Sequence, residues 1–283
     1  MPHRSSDAPI GIFDSGVGGL SIAQEIAAYL PNERIVYFAD TAHVPYGARS
    51  DEDIRHLTAR AIEWLYRQGC KVAVVACNTA SAFSLDHLRE FYGERFPIIG
   101  LVPALKPAVI QSKSKVVAVL ATPATLRGKL IRDVIYGFAE PAAVQVLNVT
   151  CLDLVPWVEA GLSQSPQCQA CLKQILQPVV DQGADYLVLG CTHYPFLKAS
   201  ILQLYPEGLT LIDSGLAVAR QTSRVLIKHG LLTTRQQPPE IGLQCYVSGQ
   251  NAAQLAPVLA LMIPTQLSWS IDNIEVTLAE QID

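Results

Sequence analysis

The sequence predicts an α/β protein made of two similar, doubly wound domains with mainly parallel sheets, related by pseudo-symmetry. Short apolar runs alternate with helical stretches along the chain, and this alternation is typical of parallel sheets. Two of the runs, residues 74–76 and 187–190, end alike, in a cysteine, a nearby hydroxyl residue and a helix-like segment. We therefore expect two copies of one α/β unit, with an active site in the cleft between them.

The composition indicates a folded protein without electrostatic attraction to nucleic acid. Of the 283 residues, 50% are hydrophobic and 16% are charged, which is ample for a packed core. The net charge of −4 gives no reason to expect a nucleic-acid partner. No apolar run approaches the length of a membrane span, and the polar start, residues 1–7, reads as a frayed tail without a signal peptide. The odd count of 7 cysteines favours reduced thiols, so we expect a cytoplasmic protein.

The first half of the chain alternates regularly between strands and helices. Apolar residues recur at helical spacing over residues 22–30 and 54–65, and Pro31 and Gly69 mark the helix ends. The predicted strands are residues 9–13, 34–39, 74–76 and 97–102, and a further helix covers residues 80–92.

The pattern then restarts. Strands are predicted at residues 115–121, 144–149, 187–190 and 208–213, with helices after Thr122, around Glu159, over 166–182, after Pro195 and over 214–229. Residues 243–247 alternate like an edge strand, and residues 251–262 predict a short helix. We expect residues 1–97 and 208–283 to form the first domain and residues 98–207 the second.

Cys77 and Cys191 each lie between a strand end and a helix start. The helix dipole and the free N–H groups there stabilise a thiolate. The alternative is a small buried hydrophobic residue, as many free cysteines are. We favour a functional role for these two, because polar neighbours such as His193 are poor core material. We favour the core alternative for the cysteines at other positions, Cys70, Cys151 and Cys245.

Asp14 and Ser15 follow the first predicted strand and can supply a carboxylate and a hydroxyl to the same cleft. Either could also cap the following helix. Gly16 and Gly18 begin a dinucleotide-binding fingerprint, but Ser21 stands where the third glycine belongs. Asp14 would also repel a pyrophosphate, so we do not favour a dinucleotide site.

The sequence predicts no metal site. Cys168 and Cys171 form a lone C-x-x-C within a helical stretch, without a second pair at zinc spacing. The 6 histidines show no metal-binding spacing, and the sequence has no P-loop and no lipase-type G-x-S-x-G.

Five ordered motifs cover nearly the whole chain, and together they resemble the glutamate racemase family of cofactor-independent Asp/Glu racemases. They are Asp14–Leu20, Tyr37–Asp40, Pro45–Gly47, Ala76–Ala80 and Gly190–Pro195. The resemblance implies an isomerase that interconverts L- and D-glutamate without a cofactor. D-glutamate would then feed peptidoglycan synthesis.

The resemblance also implies roles for individual residues. Cys77 and Cys191 correspond to the two catalytic acid/bases, Asp14 and His193 to their assistants, and Glu159 to a residue beside His193. The implied substrate contacts are Asp14, Ser15, Asp40, Pro45, Tyr46, Gly47, Asn78, Thr79, Thr122, Thr125, Thr192 and His193. The family further implies a homodimer.

Two other functions remain open from the sequence. One is a two-cysteine racemase for aspartate or a hydantoin, which a substrate panel would distinguish. The other is a non-catalytic, two-lobed binding protein for an acidic amino acid, which would exchange no α-proton.

Overall fold

A computed structural model describes residues 5–249 and 252–274 and has two parallel β-sheets. The strands are β1 Ile10–Asp14, β2 Ile35–Ala39, β3 Val72–Val75, β4 Ile98–Gly100, β5 Val116–Ala121, β6 Gln145–Val149, β7 Tyr186–Gly190, β8 Thr210–Ile212, β9 Leu243–Val247 and β10 Trp269–Asn273. Every pairing within the two sheets is parallel, which confirms the predicted fold class. Of the predicted polar tail, residues 1–4 lie outside the described residues.

Helices cover both faces of each sheet. The α-helices are α1 Leu20–Tyr29, α2 Asp51–Arg67, α3 Asn78–Tyr92, α4 Leu105–Gln111, α5 Pro123–Arg127, α6 Lys129–Val134, α7 Leu154–Glu159, α8 Pro166–Asp181, α9 Lys198–Leu204, α10 Gly215–Lys228 and α11 Ala252–Met262. Short 3₁₀ turns cover Tyr46–Ala48, Gly93–Arg95 and Tyr194–Leu197, and a π-helical turn covers Ile135–Ala139. No helix in the described part of the chain is long and apolar enough to cross a membrane.

Strand residues alternate between two hydrophobic layers. In the first sheet, Ile12 and Val74 face the layer that packs on α1 and α10, whereas Phe13 and Val75 face the layer of α2 and α3. The second sheet is covered in the same way, with Leu120 towards α8 and Val119 towards α4. Burial of both faces explains why these strands read as continuous apolar runs in the sequence.

The two sheets repeat one topology. Their orders are β10-β9-β2-β1-β3-β4 and β6-β5-β7-β8, so the first four strands of each half are arranged identically. This confirms the predicted pseudo-symmetry. It also places Cys77 and Cys191 after equivalent strands, β3 and β7.

The strand predicted at residues 243–247 is confirmed, but its predicted position at the edge of a sheet is wrong. β9 lies between β2 and β10, and its alternating burial arises because one face is covered more completely than the other. β10 and α4 lack a clear sequence pattern and were not predicted.

The chain passes from one sheet to the other later than the predicted domain boundaries. β4 belongs to the first sheet, although it follows residue 97, and β8 belongs to the second, although it follows residue 207. We propose that the two folding units exchange within residues 101–115 and 213–242.

Candidate active site

Loops at the carboxyl ends of equivalent strands in both sheets enclose one cavity. It contains about 280 Å³ of empty space, part of which is open to solvent. Residues that follow β1, β2 and β3 contribute the wall on the side of the first sheet, and residues that follow β5, β6 and β7 contribute the wall on the side of the second. The lining residues are Ser15, Pro45, Tyr46, Gly47, Cys77, Asn78, Thr79, Thr122, Val155, Cys191, Thr192 and His193. The structure therefore brings the two predicted cysteines to a single cavity.

Cys77 caps the N-terminus of α3. Its Sγ accepts a hydrogen bond from the Ala80 N–H at 3.4 Å, and its thiol donates to Ser15 Oγ at 3.7 Å. Burial, followed by the negative charge of Asp14, raises the pKa of Cys77 well above its usual value, although both hydrogen bonds oppose this rise. Cys77 is therefore a thiol in the resting site.

Asp14 is fully buried behind the Cys77 wall. Burial raises its pKa to about 6, whereas the His193 charge and a 2.7 Å hydrogen bond from the Gly19 N–H lower it. The Thr192 hydroxyl approaches both carboxylate oxygens at 3.4 Å from the other sheet. Asp14 thus changes charge within the physiological range of pH.

Cys191 has a different neighbour. Its Sγ lies 3.6 Å from His193 Nδ1, and the other ring nitrogen, Nε2, lies 2.5 Å from Glu159 Oε1. Burial lowers the pKa of His193, but hydrogen bonds and charge from Cys191 and Glu159 outweigh burial and hold it well above its usual value. His193 is therefore an imidazolium that places a positive charge beside Cys191.

Glu159 also links the two walls of the cleft, because its Oε1 accepts a 2.8 Å hydrogen bond from the Val17 N–H. Two glycines of the same loop permit this approach. A Cβ at Gly16 would lie 2.0 Å from Glu159 Oε1, and one at Gly18 would lie 2.5 Å from His193 Nδ1. The glycines that resemble a dinucleotide fingerprint therefore make room for the side chains of Glu159 and His193.

Hydroxyl groups from both walls meet in one cluster. Thr79, Thr122 and Thr125 form a triangle with Oγ1–Oγ1 distances of 2.9, 3.3 and 3.0 Å. Thr122 also caps α5 through the Thr125 N–H. Asn78 Oδ1 is buried and has no hydrogen-bond partner among residues 5–249 and 252–274. The cavity lining thus combines hydroxyl donors with an amide oxygen that can accept a hydrogen bond.

Asp40 lies behind the wall that carries Cys77 and Tyr46. Its carboxylate accepts hydrogen bonds from Tyr46 Oη at 2.7 Å and Ser248 Oγ at 2.6 Å, and His43 Nδ1 lies 2.9 Å away. Because Tyr46 lines the cavity and Asp40 does not, the carboxylate positions the phenol.

Some predicted site residues do not line the cavity. They stand one layer behind it, and their roles stay predictions: Asp14, Asp40, Thr125 and Glu159. Val155 of α7 lines the cavity and was not predicted. Its position four residues before Glu159 on a helix is the signal that could have identified it.

The remaining sequence candidates lie away from this cavity. Cys168 and Cys171 lie within α8, as predicted, and none of the 7 cysteines, all of which lie among the described residues, forms a disulfide. Among residues 5–249 and 252–274, no group of 3 or more His, Cys, Asp or Glu side chains could hold a metal ion.

Comparison with known proteins agrees with this geometry. A glutamate racemase from Deinococcus radiodurans is 54% identical over 263 residues, covering 93% of this chain and 89% of the relative. Glutamate racemase from Francisella tularensis in complex with D-glutamate superposes with a TM-score of 0.79 at 30% identity, covering 96% of this chain and 98% of that one. The Escherichia coli enzyme in complex with L-glutamate and the activator UDP-MurNAc-ala also superposes with a TM-score of 0.79, at 34% identity, covering 94% and 98%. Residues 15–222 match the Asp/Glu/hydantoin racemase family, so the chain belongs to that family.

Proposed function

We propose that this chain interconverts L- and D-glutamate by moving a proton at the α-carbon between Cys77 and Cys191. The observation that carries the proposal is the placement of two cysteines on opposite walls of one cavity, each with its own ionisable neighbour. The relatives named above support glutamate as the substrate, since solved relatives hold its D and L forms.

Inversion needs a base on one face of the α-carbon and an acid on the other. The thiolate of one cysteine takes the α-proton, so a C–H bond breaks, an S–H bond forms and the electron pair stays on carbon. The other thiol then delivers its proton to the opposite face, and its sulfur keeps the S–H electron pair. The two roles exchange in the reverse direction.

The assistants lie where these charges develop. The His193 imidazolium stabilises negative charge on the Cys191 sulfur, and the half-buried Glu159 carboxylate keeps the imidazole protonated. On the other wall, Asp14 disfavours a resting thiolate at Cys77. One thiolate and one thiol at a time is the state that a two-base reaction requires.

Backbone N–H groups and hydroxyls can hold the substrate carboxylates without arginine. The N-terminus of α3 opens beside Asn78 and Thr79, where unsatisfied N–H groups favour an anion. Thr122 and Thr192 add hydroxyl donors, and the free Asn78 Oδ1 is an acceptor for the substrate ammonium. Donors aimed at the α-carboxylate also stabilise the carbanion formed when the α-proton leaves.

The cellular role follows from the product. D-glutamate is a building block of peptidoglycan, so the reaction supplies cell-wall synthesis. We further propose a cytoplasmic homodimer that needs neither pyridoxal phosphate nor a metal. Full activity after dialysis against a chelator would support the last point, and activity that returned only on addition of metal would contradict it.

The decisive experiment is racemisation in heavy water. The product-forming thiol exchanges its proton with solvent before substrate binds, so the first D-glutamate formed from L-glutamate should carry deuterium at its α-carbon. The remaining L-glutamate should at first carry little. Proton NMR of both enantiomers early in the reaction measures this.

The same assay separates the alternatives. Substantial protium in the first D-glutamate would contradict opposed Cys77 and Cys191. Racemisation of aspartate but not glutamate would identify a related racemase, and binding without α-proton exchange would identify a binding protein.

A further inference from the structure

Two cysteines without a role in this reaction face each other near the active site. Cys151 Sγ and Cys171 Sγ lie 3.4 Å apart, and both residues are half-buried free cysteines. Cys151 follows β6 and precedes α7, whereas Cys171 lies on α8. Cys168, one turn earlier on the same helix, is fully buried.

The distance between the two sulfurs is close to bonding distance. A disulfide has an S–S length of about 2.05 Å, so the atoms must approach by about 1.3 Å from their present separation. Cys171 is held in the middle of a helix of 16 residues, whereas Cys151 lies in the connection between β6 and α7. The loop that carries Cys151 therefore has to move through most of this distance.

That loop is coupled to the catalytic groups in two ways. The Cys151 carbonyl accepts a 3.0 Å hydrogen bond from the hydroxyl of Tyr194, the residue after His193. The loop also leads directly into α7, which supplies Val155 to the cavity wall and Glu159 to His193. Displacement of the loop therefore alters the position of the imidazolium beside Cys191.

We propose that Cys151 and Cys171 form a reversible disulfide on exposure to a small-molecule disulfide, and that this bond lowers the activity of the enzyme. The bond formation stands on the geometry alone. The effect on activity rests on the proposed function.

The reaction proceeds by two thiol–disulfide exchanges. The thiolate of Cys151 attacks one sulfur of the small disulfide, the S–S bond of the reagent breaks, and one small thiolate leaves. Cys171 then attacks Cys151 Sγ and expels the second small thiolate. The two cysteines are oxidised, the reagent is reduced to two thiols, and the two cysteine protons pass to the leaving groups.

The position of Cys151 in a loop and the burial of Cys171 on a helix favour this order. Burial, followed by its hydrogen bond to Cys151, raises the pKa of Cys171 to about 12, so Cys171 is a poor first nucleophile. Once Cys151 carries the small thiol, the neighbouring sulfur is already in place for the second step.

The test is peptide mapping after incubation with oxidised glutathione. The protein is treated in the presence of D-glutamate, which covers Cys77 and Cys191, and its free thiols are then alkylated. We expect a Cys151–Cys171 cross-link in the wild type that dithiothreitol removes. Cys168→Ser is the matched control on the same helix and should still form it, whereas Cys171→Ser should not.

Activity is measured on the same samples after the oxidant is removed. We expect a several-fold loss in the wild type and in Cys168→Ser, reversed by dithiothreitol, and little loss in Cys171→Ser. Circular dichroism checks that each variant is folded.

Three outcomes would overturn parts of the proposal. Complete alkylation of Cys151 and Cys171 after oxidation, or glutathione adducts alone, would reject the disulfide. An equal activity loss in Cys171→Ser would show that the loss does not need the Cys151–Cys171 bond and would reject regulation by this disulfide. A reduced enzyme without racemase activity would reject the proposed function, while the peptide map would still test the bond.

Discussion

The two walls of the cavity have the same backbone arrangement around their cysteines but different charged groups beside them. Cys77 and Cys191 both follow the third strand of a four-strand unit, at the same edge of each sheet. Cys77 caps a helix of 15 residues and has a buried carboxyl group nearby, Asp14. Cys191 instead precedes a short 3₁₀ turn and has an imidazolium beside it.

Under the proposed mechanism, this difference would allow one duplicated unit to hold an acid and a base at once. On the Cys77 wall, burial and then the negative charge of Asp14 raise the pKa of the thiol, whereas on the Cys191 wall the charged neighbour of the sulfur is the His193 imidazolium. Two identical environments would favour two thiols or two thiolates together, and neither combination can take one proton and give another.

Removal of either sulfur should have the largest effect. Cys77→Ala and Cys191→Ala should each lower racemisation by at least about 10²–10⁴-fold, the usual contribution of a general acid or base. Cys168→Ala, which changes a buried cysteine outside the cavity, should keep nearly full activity. Polarimetry measures the rate, and circular dichroism confirms folding. Full turnover in either of the first two variants would show that the walls are not both needed.

Removal of the carboxylate behind His193 should have the next largest effect. Glu159→Gln removes two interactions that raise the pKa of His193, so the imidazolium is lost at a lower pH than in the wild type. We expect activity to fall by about 10²-fold and its high-pH limit to move to lower pH.

NMR titration of the His193 ring provides the independent readout for this variant. An unchanged ring pKa would show that Glu159 only links the two walls through the Val17 N–H.

On the Cys77 wall, Asp14→Asn should raise the stability of the protein and lower its activity. The pKa of Asp14 is about 6 in the folded protein against an ordinary value of 3.8, so the unfolded chain releases the proton first and stability is lost as pH rises through about 6. The variant should therefore be more stable than the wild type at pH above about 7, by as much as about 3 kcal/mol.

The gain in stability should disappear below the ordinary pKa of 3.8, where both states of the wild type are protonated. Urea unfolding at several pH values measures it. Activity of the variant should be lower than that of the wild type and should lose the dependence on a group with a pKa near 6. A variant that is less stable at high pH would show that the Gly19 hydrogen bond outweighs burial of the charge.

The smallest effect should come from Ser15→Ala. The Ser15 hydroxyl lowers the pKa of Cys77 through a 3.7 Å contact with its sulfur. Loss of one such hydrogen bond should reduce the rate by about 2- to 10-fold and move the Cys77 titration to higher pH. A rate equal to that of the wild type would show that the hydrogen bond to Cys77 at the N-terminus of α3, and not the one from Ser15, is the main stabilisation of the Cys77 thiolate.

The sequence by itself determined the architecture and the location of the site. Burial of both sheet faces makes each strand a continuous apolar run, so the alternation of strands and helices could be read directly, as could the repeat. Polar residues placed directly after such runs must lie at the carboxyl edge of a parallel sheet, which is why Cys77, Cys191 and Asp14 could be assigned to one cleft.

Only the tertiary structure decided which groups meet there. The resemblance implies that Glu159 lies beside His193, 34 residues later, but no pattern in the sequence indicates its second contact, with the Val17 N–H 142 residues earlier. The place of β9 inside the sheet depends on β10, which pairs with it from the far end of the chain. Hydrophobic periodicity reports how deeply a segment is buried, whereas the identity of its neighbours depends on the path of the whole chain.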